Sequence, residues 1–121
     1  MGIVTSINAV TLHTTDIGLS MAFYVAMNFR ISFGDPAASF ATVTSGDCFV
    51  NLWLVDSDAD VNHSWGRIIF HVDDVDVLYE TAIKSGLKPR HPPRDAPWGE
   101  RVFAINDPMG HDLSFAKTLT T

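Results

Sequence analysis

Cysteine is all but missing: Cys48 stands alone in 121 residues. A single thiol rules out an intrachain disulfide and a thiolate metal cluster. It lies in the apolar stretch Cys48-Phe49-Val50, so the expectation is an inert buried thiol rather than a nucleophile. Basic residues are also scarce, with 8 Lys and Arg against 14 Asp and Glu and a formal charge of -6. That balance argues against nucleic acid or an anionic membrane as partner. It is compatible with a cationic small ligand, although an acidic surface also simply aids solubility. No apolar run reaches membrane-spanning length. The start, Met1-Gly2-Ile3-Val4-Thr5, lacks the basic segment and long apolar core of a secretion signal, so a cytoplasmic location is expected.

What is present is an ordinary globular composition, 46% apolar and 18% charged, at a length that fills one domain. It also carries a repeat. Leu12-His13-Thr14-Thr15-Asp16 returns 58 residues later as Phe70-His71-Val72-Asp73-Asp74. Each copy follows a strand-like run and precedes an amphipathic helical pattern, the mark of a duplicated module. Paired modules are expected to form a groove, with His13 and His71 facing one another across it.

In the first copy a strand is predicted over 5–14, with Val10 and Leu12 on one face and Ala9, Thr11 and His13 on the other. Asp16 is a helix N-cap, and Leu19, Ala22, Phe23, Ala26 and Met27 form an apolar stripe that Asn28 ends. Strands follow at 29–33, 38–44 and 47–55, separated by Gly34-Asp35-Pro36 and Ser45-Gly46-Asp47 turns. Residues 56–65 are a polar, acidic connection. The second copy opens with a strand at 66–73. Asp74 caps a helix with the stripe Val75, Leu78, Tyr79, Ala82 and Ile83, ended by Gly86, which lies 58 residues after Asn28. Strands at 87–91, 100–106 and 111–117 complete it, the last two joined by the turn Asp107-Pro108-Met109-Gly110. The expected fold is α+β: one domain over 1–121 made of two βαβββ modules, 5–55 and 66–117, with 56–65 between them. Open edge strands suggest a homodimer.

Several segments carry a family resemblance in their order and spacing. They are Leu12…Asp16-Ile17, Phe23-Tyr24, Met27-Asn28-Phe29, Phe70-His71-Val72-Asp73-Asp74-Val75, Gly86-Leu87, Pro97-Trp98-Gly99-Glu100-Arg101 and Asp107-Pro108-Met109-Gly110. Together they resemble the vicinal oxygen chelate superfamily, the fold of glyoxalase I, bleomycin-resistance proteins and extradiol dioxygenases. The runs Asp73-Asp74-Val75-Asp76…Leu78-Tyr79 and Pro97–Ala104 look most like the metal-free bleomycin-resistance branch, which holds a large ligand in aromatic and acidic surroundings. The fold is implied more strongly than any activity. In metal-dependent members the resemblance places ligands at four positions that here carry Ala9, Asn51, Arg67 and Ser114. None is a good ligand, and a guanidinium repels a divalent ion. No metal and no cofactor are expected.

Parity puts Ala9, Thr11 and His13 on the implied concave face, with Asn51 and Trp53; in the second module it puts Arg67, Ile69 and His71 there, with Asp112, Ser114 and Ala116. Val10, Leu12, Ile68, Phe70, Leu113 and Phe115 are assigned to the core. His13 and His71 admit two readings: acid–base groups titrating near neutrality, or hydrogen-bonded wall residues. A metal site built on both lacks a third ligand other than Asp112. Arg67 either forks a ligand anion or pairs with Asp112 or another acid. Trp53 and Trp98 are candidates to stack on a planar or cationic ligand. Trp65 reads as packing, Phe40 and Phe103 as core or pocket, and His63, His91 and His111 as solvated. The leading expectation is metal-independent binding of a small organic ligand, cationic or aromatic, by Asn51, Trp53, Arg67, Trp98 and Ser114. The alternative is a lyase or isomerase with His13 or His71 as acid–base and Arg67 as anion anchor; a third is a face occupied by another chain.

Overall fold

The computed structural model describes residues 2–61 and 65–119. His63 and part of the acidic connection lie outside the described residues. The chain divides into two compact units, 1–59 and 60–121, with one order of elements in each. The first holds β1 (Val10–Thr14), α1 (Ile17–Ala26), β2 (Arg30–Phe33), β3 (Phe40–Ser45) and β4 (Cys48–Leu54). The second holds β5 (Arg67–His71), α2 (Val75–Lys84), β6 (Arg94–Ala96), β7 (Glu100–Asn106) and β8 (Asp112–Thr118). The sheets run β1-β4-β3-β2 and β5-β8-β7-β6; the β1–β4 and β5–β8 pairs are parallel and the rest antiparallel. This is the α+β fold of two βαβββ modules.

Local chemistry accounts for the helix ends. Asp16 Oδ1 accepts from the Leu19 amide at 3.0 Å, and Asp74 Oδ1 accepts from the Val77 amide at 3.1 Å. Each carboxylate satisfies one of the amide protons that a first turn leaves unpaired. Just past the other ends, Asn28 and Gly86 take left-handed backbone, φ 73° and 81°. Replacing Asp74 with Ala is expected to cost about 1 kcal/mol of stability. Urea unfolding of the variant checks this, and an unchanged midpoint would show that the cap is dispensable.

The stripe expected on α1 is met at Phe23 and Met27, both buried, and fails at its N-terminal members. Ile17, Ser20, Met21, Phe23 and Tyr24 are buried in α1, while Leu19 is 51% exposed and Ala22 is exposed. A helix that is apolar nearly all round has no phase that periodicity can choose. Tertiary fit chooses it: Ser20 and Thr14 hydroxyls meet at 2.8 Å, both buried, and Tyr24 packs edge-on against Phe23 and Phe29. On α2, Val75 and Ala82 are buried, whereas Ile83 at the end of its stripe is exposed.

Three further expectations are corrected. The strand at 87–91 is displaced to Arg94–Ala96. Pro89, Pro92 and Pro93 offer no amide to a ladder, so pairing waits until they have passed. The first strand begins at Val10 rather than residue 5, and Ile3, Val4 and Ile7 are exposed. Cys48 is exposed at the start of β4, not buried. Val50, two residues on and on the same face, is the core residue, whereas Cys48 sits at the strand end opposite Ser45, beside the β3–β4 turn.

Each helix covers one face of its sheet. In the first unit Leu12, Leu52 and Ala41 align across β1, β4 and β3, all buried. In the second, Phe70, Phe115 and Phe103 align across β5, β8 and β7 with ring centroids 5.2 and 5.5 Å apart, and Tyr79 of α2 meets Phe103 edge-on at 5.6 Å. Phe103 is therefore core. Arg101 ties α2 to the sheet, its guanidinium forking Asp76 at 2.8 and 2.9 Å and reaching Asp95 at 2.9 Å. Those hydrogen bonds hold the Asp76 carboxyl below its usual range and raise Arg101 further. No helix among the described residues is long and apolar enough to cross a membrane.

Candidate ligand-binding site

The helix-free face of the second sheet carries a hollow. Its floor is Ile69, Ser114, Ala104 and Val102, contributed by β5, β8 and β7. These positions alternate with the phenylalanines of the opposite face, so the register that builds the core also builds the floor. Ala96, Val102 and Ala116 form a small buried apolar cluster on this side. The segment leading through β6 supplies Arg90, His91, Arg94 and Trp98 as walls, with Glu100 and Arg67 beside them, around a cavity of about 230 Å³. A shallower hollow of about 470 Å³ adjoins it, with Arg67 and Arg90 lining both.

Charge in the cavity runs against the charge of the chain. Three of the five arginines line it, and Glu100 is the one carboxylate among the residues lining it. Arg90 is committed: it pairs with Asp112 at 2.6 Å and with Asn106 Oδ1 at 3.0 Å. Asp112 thus serves Arg90, not Arg67. Among the described residues no carboxylate pairs with Arg67 or Arg94. Glu100 is doubly engaged, accepting from Trp98 Nε1 at 2.9 Å and lying 3.3 Å from His71 Nε2. Trp98 is 63% exposed, with its ring oriented by that bond. Ser114 lies at the cavity floor, 2% exposed.

The first sheet presents a different face. Asn51 sits between Thr11 and Thr42, giving Nδ2–H to Thr11 at 3.2 Å and accepting from Thr42 at 2.8 Å. One residue pair further along, His13 pairs with Trp53 and Trp53 with Phe40, and the His13 and Trp53 rings meet edge-on at 6.0 Å. Phe33 touches Phe40 at 6.3 Å. The result is an exposed aromatic row beside a polar one. Asn51 and Trp53 do share the face of Thr11 and His13, as parity required.

Sequence reasoning missed Arg90, Arg94 and Glu100, and treated His91 as solvated. His91 is half-buried at the cavity wall, its Nδ1–H donating to the Pro92 carbonyl at 2.8 Å. The available signal was the basic cluster Arg90-His91-Pro92-Pro93-Arg94 in an acidic chain. His111 is also corrected: it is 4% exposed, accepting at Nδ1 from Trp65 Nε1 at 3.0 Å, while its amide donates to Asp107 Oδ1 at 3.0 Å. The turn before β8 pulls it inward.

The family model of the Glyoxalase/Bleomycin resistance protein/Dioxygenase superfamily matches residues 6–115. The chain belongs to that superfamily. Among solved structures, a bleomycin-binding protein complexed with bleomycin is 25% identical, with a TM-score of 0.76 over 94% of this chain and 99% of that one. A bleomycin resistance determinant encoded on the transposon Tn5 is 26% identical, with a TM-score of 0.78 over 94% and 98%. TioX from Micromonospora sp. ML1 is 26% identical, with a TM-score of 0.77 over 95% and 100%. No curated protein matches the chain.

The four positions to which the family resemblance assigned metal ligands carry Ala9 and Asn51 in the first unit and Arg67 and Ser114 in the second. Thr11 and Ile69 are 58 apart, and they pair with Asn51 and Ser114 respectively, so those two residues are structural equivalents. The pair in the first unit offers one neutral amide, and the pair in the second a hydroxyl and a permanent cation. Neither pair is a donor set suited to a divalent ion. Among the described residues no three His, Cys, Asp or Glu side chains gather as a metal site.

Proposed function

We propose that the chain binds a small organic molecule without a metal ion, on the helix-free face of the second sheet, and that it acts by sequestration. The cavity carries this reading: an apolar floor, an oriented indole and the Arg67 and Arg94 guanidinium groups, which pair with no carboxylate among the described residues, are what a ligand site needs for burial and orientation. Superfamily membership and the similarity to a bleomycin-binding protein support it. Binding alone lowers the free concentration of a toxic compound, and no bond need be made or broken.

The test is thermal unfolding of protein purified without added metal, against a panel of small aromatic compounds that includes bleomycin. A true ligand at 100 times its Kd adds about 2.7 kcal/mol, a Tm rise on the order of 10 °C. It should be recovered unchanged by mass spectrometry. A panel with no effect, or stoichiometric metal in the purified protein, would overturn the proposal.

The His71–Glu100 contact favours a second reading, a lyase or isomerase with His71 as general base and Arg67 anchoring an anion. It requires turnover that disappears in His71→Ala.

A further inference from the structure

We infer that the cavity of the second sheet is an anion site, and that its ligand is a small aromatic carboxylic acid. This rests on the proposed binding function and gives it a chemical class. The chain has a formal charge of -6, yet Arg67, Arg90 and Arg94 converge on one cavity. Arg90 is neutralised by Asp112 and held by Asn106. Arg67 and Arg94 are not neutralised by any carboxylate among the described residues, although 14 acids are present in the chain. Glu100, hydrogen-bonded to the Trp98 indole and 3.3 Å from His71, lines the same cavity and offsets one of the two charges at most. The lining keeps an excess of positive charge, and a bound oxyanion relieves the repulsion between the guanidinium groups. The planar fork of a guanidinium matches the two oxygens of a carboxylate.

The remainder of the cavity asks for a flat apolar body. Ile69, Val102 and Ala104 present only carbon at the floor, and the Trp98 ring stands beside them. About 230 Å³ lies below the usual range of roughly 300–1,000 Å³ for drug-sized ligands, which suits a single-ring acid better than a large one. The local lining, rather than the overall charge of the chain, sets the sign of the ligand.

Calorimetric titration of the whole protein with benzoate, its neutral counterpart benzamide, phenyl phosphate and inorganic phosphate tests the inference. Benzoate should bind at least 10-fold more tightly than benzamide, and more weakly as salt rises. Arg67→Gln and Arg94→Gln should each weaken benzoate by roughly 10–100-fold, the loss expected for a charged hydrogen bond. Arg30→Gln, on β2 of the first unit, should leave binding unchanged. Both cavity variants should keep the parent Tm, which separates lost contacts from lost fold. If benzamide binds as well as benzoate, the anion assignment fails while small-molecule binding stands. If inorganic phosphate binds as tightly as benzoate, the site takes a free anion and the aromatic assignment fails. If phenyl phosphate alone binds, the carboxylate assignment fails. If none of these binds and the wider aromatic panel is also silent, both the inference and the binding function fall.

Discussion

Phe115→Ala should lose about 3–5 kcal/mol of stability, the range for emptying an aromatic site in a packed interior. Phe115 is 1% exposed, in the middle of β8, with Phe70 stacked on one side and Phe103 on the other. It is the centre of a row held by two ladders, parallel to β5 and antiparallel to β7. Neither neighbour can move into the void without breaking register with its own strand, so little of the cavity will close. A domain of this size has only about 5–15 kcal/mol in total. The variant should therefore unfold at a much lower urea concentration, with the slope unchanged. Ser114 and Ala116, on either side of Phe115, form part of the opposite face. Benzoate binding should weaken along with stability. A loss below about 1 kcal/mol would mean that the row collapses readily and does not set the sheet.

Gly34→Ala is the second large effect, expected at about 2–5 kcal/mol from left-handed backbone and overpacking together. Gly34 has φ 83° in the connection from β2 to β3. A Cβ there would lie 2.7 Å from the Phe40 carbonyl oxygen, 3.0 Å from Ala41 Cβ and 3.1 Å from Ala41 Cα. Two of those are main-chain atoms of a paired strand, so no rotamer change relieves the contact. Gly86 is the internal control: φ is 81°, but a Cβ added there would meet nothing within 4 Å. Gly86→Ala should cost only the conformational part, about 1 kcal/mol. Equal losses in the two variants, read from parallel denaturation curves, would show that close approach at Gly34 is unimportant.

Much of the architecture was legible because its signals are local. The caps Asp16 and Asp74 act on amides three residues away, and the stops Asn28 and Gly86 act on their own backbone. Strand alternation likewise placed Phe70 and Phe115 opposite Arg67 and Ser114. The site was legible only in part. Arg67, Trp98 and Ser114 do line one cavity, but Arg90, Arg94 and Glu100 came from the fold. Their segment was read as a regular strand, whereas its prolines delay pairing and bring the arginines onto the sheet face. Cys48 and His111 exchanged their expected environments for the same reason: hydropathy of neighbours does not reveal which way a strand end or a turn faces.

The amino-acid order alone determined the duplication, the helix termini and the face assignment along each strand. These depend on chemistry within a few residues or on a period of two. Tertiary structure decided the phase of α1, the partner of Asp112 and the gathering of positive charge within an acidic chain. Each of those depends on groups distant in sequence, where strand register, not local preference, chooses the neighbour.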